Sequence, residues 1–309
     1  MSKFVIIPDS TSDVNKELRE RFNVVDVVKG PITINGESIN VTGDWDIYQS
    51  KDFWAMLRNK KNQINTGAAS PEMFKKTFEK YVKEGYDVLS ITLSGALSST
   101  YNFASQAAKE LMEKYPERKV LVVDSRRYSA AELLLVIYAS KFQQEGYDIE
   151  ETFNKLEEIK NCLHQAGPMD DLMFLASRKR ITNTKAFMGQ LIGVNPIGEV
   201  DENGLTKVLC KVKGSKKALA TSLEYMKRTI VNPEDQIVII AHSDREEKAK
   251  LYKEMIQKEL KVKEIILTEV GMSCAPNIGP GLCASYYVGT PISKDLVEEQ
   301  AIFDSLLKK

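Results

Sequence analysis

The sequence predicts an α/β protein of two domains: an N-terminal domain built on a parallel sheet over residues 1–160, and a C-terminal α+β domain over 161–309. Three observations carry this reading. Continuous apolar runs that suit strands covered on both faces alternate with helical stretches through the first half. The loops leaving those runs are dense in side-chain oxygens. The length, 309 residues, suits two domains at about 150 residues each, or one large one.

The first strand is Phe4-Val5-Ile6-Ile7, running into the polar loop Asp9-Ser10-Thr11-Ser12-Asp13. Ser12 or Asp13 is expected to cap a helix over 15–21. A β-like stretch from Val24 is broken at Gly30-Pro31, and Asn35-Gly36 signals a hairpin to Glu37–Val41. A short helix is expected over 51–58. Ser70-Pro71-Glu72 opens another, with Phe74, Phe78, Tyr81 and Val82 on one face and Gly85 at its end. The strand 87–93 enters the Ser-rich loop 94–100 and then a helix to about Tyr115. The strand 119–123 ends at Asp124-Ser125, before an apolar helix over 130–143 that Glu132 interrupts.

In the second half, helices are expected over 149–165 and 170–182, placing His164 at a helix end facing solvent. Asp201-Glu202-Asn203-Gly204 is a turn leading to a hairpin strand over 206–212. A helix over 216–230, a strand over 236–241, a helix over 245–260 and a strand over 264–270 follow. Gly279-Pro280-Gly281 then leads a small-residue segment to Tyr287.

The charge balance, 43 Lys+Arg against 43 Asp+Glu, argues against nucleic acid and against a polybasic membrane surface. No secretory signal and no transmembrane run is recognised, and a cytoplasmic location is expected. Cys162, Cys210, Cys274 and Cys283 form no CxxC pair, and His164 and His242 are the only histidines, so neither a zinc site nor any other metal is expected.

Candidate sites cluster at predicted strand ends, where open α/β sheets bind ligands. The loops at Asp9–Asp13, Ser94–Thr100 and Asp124–Ser125, with Asn65-Thr66-Gly67 before a helix, suit an anion, phosphate or carboxylate. Ordinary capping and turn chemistry is the other reading. His242, at a strand end, is either a ligand donor or general base, or a satisfied strand-end residue. Gly279 and Gly281 fit GxGxxA formally, but the intervening Pro favours close backbone approach over a dinucleotide fingerprint. The basic clusters Arg178–Arg180 and Lys211–Lys217 are either solvated faces or docking sites for an acidic partner or a phosphate.

Taken in order, these motifs resemble the DegV family of bacterial fatty-acid-binding proteins. The resemblance rests on Asp9–Asp13, Thr66–Pro71, Ser94–Tyr101, Asp124-Ser125, Asp171–Ile181, Ala241–Asp244 and Gly279–Gly281. It implies two α/β domains, the N-terminal one Rossmann-like, with a long-chain fatty acid bound between them and no further cofactor. The carboxylate would lie among Thr66, Ser94 or Ser98 and the Gly279–Gly281 region, with His242 and Asn277 also at the ligand. Arg180 would serve near the carboxylate or a kinase-facing surface. The protein itself would not be the catalyst but would present the carboxylate to a separate fatty acid kinase. The sequence departs from the family pattern at Asn277, where a His is usual, at Arg178-Lys179 in place of paired glycines, and at Ala68-Ala69. The alternatives are an enzyme acting on a phosphorylated or carboxylate small molecule at the same strand ends, or a regulatory protein without a ligand.

Overall fold

The computed structural model describes residues 3–170, 174, 177, 178 and 193–308. The chain forms two compact units. One comprises Met1–Lys160 with Gly271–Pro276, and the other Asn161–Val270 with Asn277–Lys309.

Unit 1 begins with β1 (Phe4–Ile6), then α1 (Lys16–Arg21), β2 (Gly30–Ile34), β3 (Glu37–Val41), α2 (Ser50–Arg58) and β4 (Ile64–Thr66). It continues with α3 (Pro71–Lys83), β5 (Asp87–Thr92), α4 (Thr100–Lys114), β6 (Val120–Asp124), α5 (Ala130–Gln144) and α6 (Ile149–Ile159). The parallel sheet is β1-β5-β6, as the apolar runs predict. All six residues of β5 are buried, which is why its sequence is not alternating. An antiparallel sheet, β3-β2-β4, is closed by the Asn35-Gly36 turn, both residues at positive φ.

Helix α3 follows its sequence signals closely. Ser70 Oγ accepts from the Met73 amide, Pro71 is its first residue, and Phe74, Phe78, Tyr81 and Val82 are buried. They pack with Val5, Val88, Ala104, Ala107 and Leu111 into the core of this unit. Helix α1 corrects an expected cap. Asn15, rather than Ser12 or Asp13, accepts from the Leu18 amide at 2.9 Å, because Asp13 is buried and turned to positive φ.

Unit 2 opens with β7 (Leu163–Ala166), followed by β8 (Val194–Val200), β9 (Thr206–Lys213), α7 (Ser215–Thr229), β10 (Ile237–His242), α8 (Glu246–Glu259) and β11 (Glu264–Glu269). Then come β12 (Cys283–Val288) and α10 (Val297–Leu307), while the short α9 (Ala275–Ile278) precedes β12 at the division between the units. The main sheet runs β11-β10-β12-β7, parallel only between β10 and β11, and β8 pairs antiparallel with β9. Its core gathers Val238, Ile240, Tyr225, Tyr252, Tyr287 and Phe303.

The expected helix over 149–165 ends at Ile159, and its last residues become β7. His164 is therefore buried rather than solvent-facing, stacked on Tyr287 with ring centroids 5.5 Å apart. Its Nδ1 lies 3.0 Å from both Glu199 Oε2 and Tyr225 Oη, and Nε2 lies 2.8 Å from the Thr290 carbonyl. The strands β8 and β12 and the final helix were not expected from the sequence. The helix expected over 170–182 falls mostly outside the described residues.

Phe78→Ala removes a side chain with no solvent exposure from the unit 1 core. Urea unfolding should show a loss of about 3–5 kcal/mol, and a loss under ~1 kcal/mol would contradict this packing.

Candidate functional site

The strand ends of the unit 1 sheet are tied together through side chains. Past β1, the Ile7 and Asp9 amides continue the ladder onto the carbonyls of Leu89 and Ile91. Asp9 is buried, and its Oδ1 accepts from the Thr11 amide at 2.6 Å and the Thr11 hydroxyl at 2.5 Å. Its Oδ2 accepts from the Leu93 amide at 2.8 Å. One carboxylate thus fixes its own loop and the start of the next.

Ser94 follows directly. It is fully buried, and its amide donates to the Arg127 carbonyl at 2.9 Å. Its carbonyl accepts from the amides of Leu97 and Ser98, which closes a turn. Ser98 Oγ lies 2.8 Å from Thr100 Oγ1 and accepts from the Thr100 amide, so it organises the start of α4. Asp124 Oδ1 accepts from the amides of Gly95 and Arg126 at 3.0 and 3.1 Å. The hydroxyl loops are therefore one connected structure, with Asp9 and Asp124 as its anchors.

A second layer lies beneath them. The Ser129 amide donates to the Thr11 carbonyl, and the Ser129 hydroxyl donates to Asp13 Oδ2. Ser129 has φ 55° and ψ −134°, an uncommon backbone for a residue with a Cβ. Cys274 Sγ donates to the Thr11 carbonyl at 3.2 Å. Burial raises the carboxyls of Asp9 and Asp13, the latter to about 7, against the hydrogen bonds that lower them. Burial also keeps the Cys274 thiol well above its ordinary value.

Thr66 ends β4, half-buried and opposite Ile32 of β2. Gly30 explains how this sheet approaches the Asp9 loop. A Cβ there would stand 2.5 Å from Ser10 Oγ and 4.0 Å from the Gly67 carbonyl. Of the residues singled out in this unit, Ser94 and Ser98 share one turn, while Thr66 lies on the second sheet.

In unit 2, His242 ends β10, buried and opposite Cys283 of β12. Its Nδ1 accepts from the Arg245 amide at 3.4 Å, and burial holds the imidazole below its ordinary pKa. Ser243 clasps the Gly281 segment: its carbonyl accepts from the Gly281 amide, and its Oγ accepts from the Leu282 amide, both at 2.8 Å. Asp170 docks on the same corner. Its amide donates to the Gly281 carbonyl, while its carboxylate meets Arg245 Nε at 2.7 Å and Lys248 Nζ at 2.8 Å. These cations outweigh burial and lower the Asp170 carboxyl.

Gly279 and Gly281 have φ of +76° and +111°, and a Cβ at Gly281 would lie 2.7 Å from that of Asp170. They allow close backbone approach, here to the protein's own Phe174 and Asp170. Asn277 sits half-buried on α9. Arg180 lies outside the described residues, as does Lys179. Arg178 sits 5.7 Å over the Phe174 ring.

Sequence reasoning missed the role of Asp170 and of the Glu132–Thr11–Asp9 contact. Glu132 did leave a signal, as a charge within an apolar helix. Among the described residues no group of His, Cys, Asp and Glu is placed to hold a metal, and no helix is long and apolar enough to cross a membrane.

Two α/β units, one with hydroxyl loops interlocked at the carboxyl edge of a parallel sheet and the other with a Gly-Pro-Gly corner on a mixed sheet, define the class of protein. The chain belongs to the DegV family: the family model described as "Uncharacterised protein, DegV family" matches residues 3–290. A DegV domain-containing protein of Clostridium perfringens is 33% identical over 290 residues, covering 94% of this chain and 98% of that protein. Among solved structures, a DegV family protein from Thermus thermophilus described for its fatty acid binding is similar at a TM-score of 0.83 and 27% identity, over 93% of this chain and 99% of that one. A DegV lipid-binding protein from Thermotoga maritima is similar at a TM-score of 0.81 and 27% identity, over 94% and 99%. These likenesses bear out the two-domain α/β reading and the family resemblance.

Gly281→Ala places a Cβ at positive φ against Asp170, and differential scanning fluorimetry should show a loss of about 1–3 kcal/mol. Gly146→Ala also has positive φ (+91°) but open space around it, so its loss should be smaller. Equal losses would mean that Asp170 does not crowd the site.

Proposed function

We propose that this chain binds a long-chain fatty acid and holds the carboxylate through hydroxyl donors, with Thr66, Ser94 and Ser98 as the unit 1 contributors. The observation that carries the reading is the likeness, over almost the whole chain, to the Thermus thermophilus protein described for fatty acid binding. The chemistry agrees with it. Burial of an acyl chain contributes roughly 0.8 kcal/mol per CH₂, and its carboxylate then needs donors, since an unpaired buried charge is costly. Hydroxyls provide them without adding charge. His242, Asn277, Gly279 and Gly281 are the unit 2 residues proposed to take part, and Arg180 is proposed to act near the carboxylate or a kinase-facing surface.

The proposal extends to presentation of the carboxylate to a separate fatty acid kinase. That enzyme would transfer the γ-phosphoryl group of ATP to a carboxylate oxygen, yielding an acyl-phosphate and ADP. In this role the chain is a carrier with no catalytic residue of its own, working in the cytoplasm.

Lipid extraction and mass spectrometry of the protein purified from its native host should recover a fatty acid. Recovery of none, together with no binding in a fatty-acid titration, would overturn the reading. Ser94→Ala and Ser98→Ala should each weaken fatty-acid binding about tenfold, the loss of one hydrogen bond to a charged group. Binding of the corresponding methyl ester should change much less, and equal losses for acid and ester would place the hydroxyls away from the carboxylate.

A further inference from the structure

The contact of Thr11 with two carboxyl groups poses a proton-counting problem. Its Oγ1 lies 2.5 Å from Asp9 Oδ1 and 2.8 Å from Glu132 Oε2. A hydroxyl carries one hydrogen and can donate to only one of them. If both carboxyls were ionised, the other carboxylate oxygen would face a hydroxyl lone pair inside the protein.

The surroundings decide which group carries the extra proton. Asp9 accepts two backbone amides besides the Thr11 hydroxyl, an environment suited to an anion. Glu132 has no exposure, and its Oε1 has no hydrogen-bond partner. An ionised Glu132 would leave that oxygen charged, buried and unpaired.

We propose that Glu132 is held as the neutral acid in the folded protein and donates a hydrogen bond to Thr11, making Glu132–Thr11–Asp9 a directed hydrogen-bond chain that fixes the loop after β1. Thr11 in turn donates its own O–H as a hydrogen bond to the Asp9 carboxylate, and every contact has one donor and one acceptor.

The groups around Glu132 support this. Asp9 and Asp13 on the loop after β1 and Asp124 at the end of β6 all disfavour a negative charge there, after the larger effect of burial. Lys160 Nζ binds the Asp124 carbonyl and Glu157. The buried Cys274 thiol donates to the Thr11 carbonyl. Glu132 is consequently raised well above the ordinary carboxyl range.

The linkage has a definite sign. A carboxyl raised in the folded state binds a proton there that it releases on unfolding. Stability falls as pH rises from the unfolded carboxyl value, near 4.5, towards the folded one. Each such proton changes the unfolding constant about tenfold per pH unit within that window.

Carbon-13 NMR of protein labelled at glutamate side-chain carboxyls tests the proposal directly. At pH 7 one neutral-acid resonance is expected. Glu132→Gln, whose amide can donate to Thr11 as the neutral acid does, should abolish it. It should also keep the fold and reduce the pH dependence of the unfolding constant by about tenfold per pH unit. Glu132→Ala should be clearly less stable than Glu132→Gln. Absence of a neutral-acid resonance in the unmodified protein would overturn the proposal even if the variants fail to fold. So would a Glu132→Gln variant as unstable as Glu132→Ala.

Discussion

The edge of the unit 1 sheet depends on the buried Asp9 carboxylate. Parallel strands end side by side, and beyond the last ladder bonds their exit loops need other acceptors. Asp9 supplies the missing acceptors, taking the Thr11 amide, the Thr11 hydroxyl and the Leu93 amide at once. The turn holding Ser94 and Ser98 begins one residue beyond Leu93, so the placement of those hydroxyls follows from this anchor. Asp124 repeats the device for the third strand, through Gly95 and Arg126. The cost is a buried negative charge, which burial disfavours and hydrogen bonds offset in part.

The unit 2 corner combines backbone pairing with one carboxylate. Ser243 and the Gly281 segment exchange hydrogen bonds, and positive φ at two glycines lets the chain pass close to Asp170 and Phe174. The Asp170 carboxylate, set between Arg245 and Lys248, holds this corner from outside. The Gly-Pro-Gly run is thus explained by local geometry in its own unit, and any service to a ligand is added to that structural need.

What was legible in the sequence was whatever local physics decides. Ser70-Pro71, the Phe74–Val82 face and Gly85 describe one helix completely, and Asn35-Gly36 describes a hairpin. The strand-end hydroxyl loops could be read because their order follows the strand–helix alternation. Lost to the sequence was whatever tertiary contact decides. His164 follows a helical stretch, yet strand β7 forms because Leu163–Ala166 pairs with β12. β8 contains Pro196 and Gly198, both poor strand signals, and holds its place through pairing with β9. Glu132 was visible as an oddity in an apolar helix, but its partner Thr11 lies 121 residues away.

Amide hydrogen exchange in the unmodified protein and in Asp9→Ala tests the central claim most directly. If Asp9 anchors the edge, its loss should speed exchange together across residues 9–13 and 93–100, leaving the β8–β9 amides unchanged. Faster exchange confined to residues 9–13, with Leu93 and the Ser94–Ser98 turn as protected as before, would contradict it.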